Sequence, residues 1–359
     1  MNYYLIAGEA SGDLHGADLI LGIRRLDAEA RFNGMGGDLM RKNGMKLTVH
    51  YQEYSFMGFW EVVINLRKIR SLLKRIKADI LASQPDKVVL IDYGGFNTKI
   101  AAFCKAHGIE THFFILPKVW AWNEKRVKKL RAAVDVGYCI FPFEEKYFNG
   151  HGVKTHYVGN PVVHQVNQYL SENKTPDKQA QQVALLPGSR KQEVEKILPT
   201  MLSFASSRPE LQFVIAAHRK ALYSSYTLPS NVRIEEGDTF NVLRSSQLAI
   251  VTSGTATLET ALLDVPQVVC YRANRLSFFI GKRVVKVRYI SPVNLILDKL
   301  VIKELIQNEM NTVNLAKEVD LLLDEGNANR IRNAYSELRS VLGNKHAGNE
   351  AAQHIVHRQ

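Results

Sequence analysis

The sequence predicts an α/β protein made of two doubly wound, parallel-sheet domains. Three observations predict it. Short continuous apolar runs such as KVVLID and QFVIAA stand in place of strict alternation. Helical stretches separate those runs, and a polar tract, SENKTPDKQAQQ at 171–182, interrupts the pattern before it restarts. Continuous apolar strands are covered on both faces, as in parallel sheets. Strand–helix alternation implies right-handed βαβ units. A chain of 359 residues also holds about two domains at roughly 150 residues each.

Each element follows in order. Residues 3–7 form a first strand, 8–13 a Gly-rich turn, and 14–26 an amphipathic helix. KVVLID at 87–92 is a buried strand with a helix over 96–107 behind it. THFFIL at 111–116 and VGYCIF at 136–141 continue the series. After the polar tract come VALL at 183–186, a helix from Gln192, QFVIAA at 212–217, LAIV at 248–251 and QVVC at 267–270. From about Asn311 the chain is nearly all helical, ending in a helix over 350–356. The expected division is therefore 1–170, 183–345 and a C-terminal segment, 346–359, packing back on the first domain. Ligands are expected at the strand C-terminal edges, in a cleft between the domains.

Composition narrows the function. Lys and Arg total 47 against 35 Asp and Glu, so the net charge is +12, and 46% of residues are hydrophobic. That is globular composition, with a bias towards anionic partners: nucleic acid, phosphorylated small molecules or an anionic membrane. Cys104, Cys139 and Cys270 lie far apart beside apolar segments and read as buried free thiols, which excludes a disulfide scaffold. No apolar run approaches the ~18 residues that span a bilayer. The start, MNYYLIAGEASGD, lacks the basic n-region of a signal peptide, so a cytoplasmic protein is expected.

Several chemistries are absent from the sequence. There is no GxxxxGK[ST], HExxH, CxxC pair or Asp-x-Asp. Gly34, Gly36 and Gly37 begin a GxG pattern, but Leu39 stands where its last glycine should be. Ser11 comes one residue too late for GxSxG. No metal or other cofactor is therefore expected, and the 11 histidines are scattered.

Gly/Ser-rich turns between strand and helix remain. Pro187-Gly188-Ser189-Arg190 ends a strand where a helix begins, with free N–H groups, a positive dipole end and a guanidinium suited to phosphate. Ser253, Gly254 and Thr255 repeat the arrangement, and Glu259 one turn on can accept from ribose hydroxyls. Either turn alone could be an ordinary cap; together they suggest a nucleotide diphosphate. In the first half, GEASGD supplies Glu9, Ser11, Gly12 and Asp13, and IDYGGFN places Asp92 at a strand end with Asn97 close behind. Asp92 is either a general base or a helix cap; spacing does not separate the two. Trp120 and Trp122 either stack on a sugar face or fill core.

GEASGD, GGDLM, FMGFWEV, IDYGGFN, KVWAWNEKRVKKL, PFE, VGNP, LPGSR, SGTATLE and YISPVNL follow one another from Gly8 to Leu295. In that order they resemble the lipid-A-disaccharide synthase family. The resemblance implies a GT-B architecture, two facing Rossmann-like domains. It implies inverting transfer of 2,3-diacylglucosamine from its UDP-activated form to 2,3-diacylglucosamine 1-phosphate, giving a β-1,6-linked disaccharide and UDP. It implies Asp92 as the catalytic residue, with Gly188, Ser189, Arg190, Ser253, Gly254, Thr255 and Glu259 at the nucleotide. Glu9, Ser11, Gly12, Asp13, Asn97, Trp122, Arg272 and Asn294 would line the sugar and acceptor subsites. Two positions depart from the family pattern: Gly94 replaces a proline and Leu116 a serine. The runner-up is another GT-B enzyme of UDP-amino sugars, a lipid-linked GlcNAc transferase or a UDP-GlcNAc epimerase; lipid-dependent activity would separate them. A nucleic-acid binder is disfavoured because the basic residues carry no recognised motif. A homodimer stays open.

Residues 56–77 combine Phe56, Phe59 and Trp60 with six basic residues, among them Arg67 and Arg70. Leu66, Ile69, Leu73 and Ile76 recur at helical spacing. The segment reads either as a surface helix packed on its own domain or as a docking element. With acylated substrates implied, docking on the anionic face of the inner membrane is expected.

Overall fold

In the computed structural model, which describes residues 1–54, 66–122, 124–174, 176, 181–274, 278 and 287–357, the chain forms two parallel sheets. The first has seven strands in the order β3-β2-β1-β4-β5-β6-β7. These are Asn2–Ala7 (β1), Arg31–Gly36 (β2), Lys46–His50 (β3), Lys87–Ile91 (β4), Glu110–Phe114 (β5), Val136–Cys139 (β6) and Thr155–Tyr157 (β7). Strands β1 and β4 pair in register from Tyr3↔Lys87 to Ala7↔Ile91. Every residue of β4 is buried, as continuous apolar strands require.

Helix α1 (Ala10–Leu26) follows β1, starting earlier than the expected 14–26 because GEASGD is itself the helix start. Then come α2 (Asp38–Lys42), α3 (Leu66–Ser83), α4 (Gly94–Ala106), α5 (Val119–Trp122), α6 (Val127–Ala133) and α7 (Pro142–Gly150). On α3, Leu72, Ile76 and Ile80 are buried, while Arg67, Lys68, Arg70, Lys74 and Arg75 are exposed. Ile69 and Leu73 are half-buried, so the inward face runs close to the expected stripe. Phe56, Phe59 and Trp60 lie outside the described residues.

The second sheet has six strands in the order β10-β9-β8-β11-β12-β13. They are Gln182–Leu186 (β8), Gln212–Ala217 (β9), Val232–Glu236 (β10), Leu248–Thr252 (β11), Gln267–Tyr271 (β12) and Glu304–Ile306 (β13). Its helices are α8 (Pro161–Glu172), α9 (Lys191–Ser206), α10 (Thr239–Arg244), α11 (Thr255–Leu262), α12 (Pro292–Leu297), α13 (Thr312–Leu323) and α14 (Glu325–Leu342). The last helix, α15 (Ala347–Val356), packs on α1: a Cβ at Gly22 would lie 2.9 Å from the Gly348 carbonyl oxygen.

The chain divides into Met1–Pro161 with Asn344–Gln359, and Val162–Gly343. The break precedes the polar tract expected to be the linker, for a physical reason. Helix α8 belongs to the second unit: Arg244 donates to the Asn173 and Lys174 carbonyls, and Tyr169 meets the Phe240 ring edge-on at 5.1 Å. Among the described residues no helix is long and apolar enough to cross a membrane.

Candidate active site

In the first unit the C-terminal ends of β1 and β4 lie side by side and present their turns together. The β4–α4 turn is strained. Asp92 and Tyr93 both adopt left-handed backbone, with φ of 47° and 50°, a conformation that costs on the order of 1–3 kcal/mol per residue and clusters at functional sites. Asp92 is held there because its N–H donates to the Phe114 carbonyl at 2.9 Å. Asn97 clamps the turn from behind, its Nδ2 donating to the Asp92, Ile91 and Ile6 carbonyls. The Tyr93 ring lies over the β1–α1 turn, where a Cβ at Gly8 would be 2.5 Å from it. Only glycine fits at that position.

The Asp92 carboxyl is half-buried. Burial pushes it above the usual carboxylate range, while the Tyr93 N–H and the charge of Lys118 pull it back. Burial, with the charge of Glu9 added, also raises the Tyr93 phenol. Glu9 is half-buried at the start of α1 and Ser11 is exposed beside it. Gly12 is buried, 3.2 Å from Ala7 Cβ if it carried a Cβ, so it serves close helix–strand packing.

Two residues expected in the sugar subsites are instead committed to the scaffold. Asp13 is 3% exposed, and its carboxylate accepts from the N–H groups of Gly37, Leu39 and Met40. It completes the N-terminus of α2, as an anion there should. Asn97 is fully buried in the clamp just described. Trp120 proves to be core: its indole N–H donates to Glu144 Oε1 at 2.8 Å. Trp122 ends α5, and its side chain is outside what the structure describes.

Glu144 was not singled out from the sequence. It is 1% exposed, accepts also from Phe141 N–H at 3.0 Å, and burial pushes it up to about 6. Its signal was present in PFE, a proline opening a helix with a glutamate two residues on, positioned to cap it. The two departures from the family pattern also find a local reason. Gly94 leaves room for Pro117, whose Cβ would be 2.6 Å from a Cβ there, and Leu116 fills the space over Gly137.

In the second unit, β8 and β11 are adjacent, and both end in glycine turns that open helices. Gly188 has φ 116°, and a Cβ on it would strike the Glu193 side chain. Arg190 then caps α9 with an exposed guanidinium, 3.9 Å from Glu193 at its nearest. Gly254, φ 156°, opens α11, with nothing within 4 Å of where its Cβ would be. Ser189, Arg190, Gly254 and Thr255 are exposed. The starts of α9 and α11 and the exposed Arg190 guanidinium thus share one sheet edge, and the Glu193 carboxylate caps the first of them. Glu259 is half-buried one turn along α11, and burial raises its carboxyl.

Three further residues of the expected site are bonded within the fold. Ser253 Oγ donates to the Ile290 carbonyl at 3.0 Å, so it ties down the 287–291 segment. Arg272 donates to the Lys196 and Met310 carbonyls and to Thr200 Oγ1, bracing α9. Asn294 is fully buried, Nδ2 donating to the Ile302 carbonyl and Glu304, Oδ1 accepting from Val301 and Ile302. Among the described residues no group of three His, Cys, Asp or Glu side chains could hold a metal ion. Two cavities, about 200 and 490 Å³, contain none of Asp92, Arg190 and Glu259.

Comparison with known proteins bears on the family and the fold. The lipid-A-disaccharide synthetase family model matches residues 3–357. The lipid-A-disaccharide synthase of Syntrophus aciditrophicus is 36% identical, covering 97% of this chain and 95% of that one. That of Myxococcus xanthus is 34% identical over 98% and 96%. Among solved structures, Methanocaldococcus jannaschii UDP-GlcNAc 2-epimerase, in complex with UDP-GlcNAc and UDP, has a TM-score of 0.66 at 14% identity, covering 100% of both chains. The glycotransferase of kitacinnamycin scores 0.64 at 15% identity, covering 99% of this chain and 98% of that one. At such identities these two show the fold alone, GT-B. On the near-complete match of family model and relatives, the chain belongs to the lipid-A-disaccharide synthase family and is a glycosyltransferase.

Proposed function

We propose that this enzyme transfers 2,3-diacylglucosamine from its UDP-activated form to the 6-hydroxyl of 2,3-diacylglucosamine 1-phosphate, with inversion. The observation that carries the reading is Asp92: a half-buried carboxylate on a strained turn at a strand end, which burial pushes above the usual carboxylate range. The acceptor oxygen attacks the anomeric carbon as Asp92 takes its proton. The bond from that carbon to the diphosphate breaks, and UDP departs with its charge on the N-termini of α9 and α11 and on Arg190. Preorganised dipoles and a guanidinium perform the task of neutralising the leaving group. The test is UDP release from the donor with and without the acylated 1-phosphate. Acceptor-dependent release supports transfer; donor consumption without acceptor points to an epimerase.

Arg190→Ala and Glu259→Gln should each weaken UDP binding by about 1.5–3 kcal/mol, the worth of a charge-assisted hydrogen bond. Calorimetric titration with UDP measures this, and unchanged affinity in both would move the nucleotide elsewhere.

The exposed basic residues of α3 support a docking role on an anionic membrane, each contributing about 1 kcal/mol near the surface. The protein should co-sediment with phosphatidylglycerol-containing vesicles, less so in high salt. Replacing Phe59, Trp60, Arg67 and Arg70 together should reduce sedimentation and leave UDP affinity intact. Equal sedimentation of wild type and variant at low salt would exclude this segment as the docking surface.

A further inference from the structure

The larger of the two cavities, about 490 Å³, belongs to the first unit, and none of the residues assigned above to sugar or nucleotide lines it. Its volume is that of a ligand pocket, about 300–1,000 Å³. Lys125, Lys128, Arg131 and His151 line it, with Glu124 as the one carboxylate.

A short run, EKRVKKLR at 124–131, builds most of this lining. Val127 and Leu130 are buried, so α6 turns that side inward. Lys125, Lys128 and Arg131 recur at intervals of three, share another side and are exposed. A Cβ at Gly152, φ 76°, would lie 3.0 Å from Arg131 Cδ, so the bare glycine gives the arginine stem its seat. His151 is anchored through Nδ1, 2.8 Å from the Tyr147 carbonyl oxygen. The Phe148 and Asn149 carbonyls accept from the N–H groups of His151, Gly152 and Val153. The end of α7 is thus closed by its own turn and does not engage the cations. Among the described residues Lys125, Lys128 and Arg131 are in no ion pair. Three cations against one carboxylate call for an anion, and a guanidinium meets phosphate oxygens two at a time.

The connections β3→β4, β4→β5 and β5→β6 all run in one direction along the sheet. Right-handed crossovers therefore put α3, α4 and α6 on one face. Side-chain contacts agree. The Lys77 ammonium of α3 lies 4.9 Å from the centroid of the Phe103 ring of α4, and Lys105 of α4 pairs with Asp135, just past α6, at 2.7 Å. The exposed Arg67, Lys68, Arg70, Lys74 and Arg75 of α3 and the cavity thus belong to one basic side of the unit. Such a side complements an anionic bilayer.

We propose that the cavity is a headgroup pocket, receiving the phosphate of one anionic phospholipid on Lys128 and Arg131 while the α3 side lies on the membrane. The inference rests on the docking role proposed for α3 and adds a discrete lipid site to it. A diffuse basic surface responds to how much charge is removed; a pocket responds to which cations are removed.

Co-sedimentation with phosphatidylcholine vesicles, with and without phosphatidylglycerol, tests this. Two variants lose the same charge from exposed positions: Lys128→Gln with Arg131→Gln inside the cavity, and Lys129→Gln with Lys146→Gln outside it. On phosphatidylglycerol vesicles the first pair should lose at least about tenfold more affinity than the second, the worth of one charge-assisted hydrogen bond. Circular dichroism and UDP titration confirm that both pairs fold. Equal losses in the two pairs, with sedimentation reduced on replacing Arg67 and Arg70, overturn the pocket and leave α3 as the docking surface. Sedimentation indifferent to phosphatidylglycerol overturns both. Calorimetric titration with inorganic phosphate separates lipid from soluble anion. Phosphate binding that the first pair abolishes, with its sedimentation unchanged, would give the cavity to a soluble ligand and overturn the lipid assignment.

Discussion

Asp92→Asn should lower turnover by about 10²–10⁴-fold, the usual contribution of a general base, while UDP affinity stays near that of the wild type. The amide keeps the shape of the carboxylate and its acceptor for the Tyr93 N–H. The left-handed turn is held by backbone, through Phe114, and by Asn97, so it survives the change. What is lost is the capacity to take a proton. The wild-type profile should fall on the acid side, with a limb above the ~4 of an ordinary aspartate, because burial raises this carboxyl. Steady-state UDP release against pH checks both points. Near-normal turnover in the variant would make Asp92 a structural turn residue and direct attention to Glu9.

Asn294→Ala should destabilise the second unit by at least about 3 kcal/mol, since each buried donor or acceptor left unpaired costs about 1–3 kcal/mol. The side chain satisfies the Val301 and Ile302 N–H groups, the Ile302 carbonyl and one oxygen of Glu304, all away from water. Alanine abandons all four and leaves a carboxylate short of a partner. Glu304 in turn accepts from Ile290 and Ser291, so the loss spreads into the segment that Ser253 holds. Denaturant unfolding followed by fluorescence measures the loss. Under conditions where the variant is folded, its UDP affinity should match the wild type. Full stability with lost affinity would return Asn294 to the ligand.

The two-sheet plan was legible because its central strands are continuous apolar runs. KVVLI and LAIVT are buried along their whole length, and that leaves a mark in sequence. The strands that passed unnoticed sit at or next to the sheet edges. KLTVH and THY close the first sheet, VRIEE and ELI close the second, and RFNGMG lies one strand in. Edge strands are short and polar for good reason, since a long apolar edge invites pairing with other chains. RFNGMG is further disguised by Gly34, whose Cβ would lie 2.1 Å from the Leu5 carbonyl oxygen.

The site was legible by type of residue and less so by task. Asp92, Arg190 and Glu259, the residues proposed for catalysis and nucleotide binding, keep accessible or half-buried heads. Asp13, Asn97 and Asn294 belong to motifs of the same set and Arg272 stands outside them, but the polar groups of all four are bonded within the fold, mostly to backbone. A motif records that a polar side chain is required, not whether ligand or main chain requires it. Glu144 shows the converse, a buried carboxylate whose neighbours across the fold give it meaning. Nothing in a linear reading places Trp120 and Glu144 together.

The central claim is a sugar transfer between two acylated glucosamines. It is tested most directly by incubating the protein with UDP-2,3-diacylglucosamine and 2,3-diacylglucosamine 1-phosphate, then determining the product by mass spectrometry and proton NMR. The account predicts a tetra-acylated disaccharide 1-phosphate with a β-configured 1→6 linkage and one UDP per disaccharide. An α linkage, an epimerised UDP-sugar, or free diacylglucosamine as the sole sugar product would contradict it.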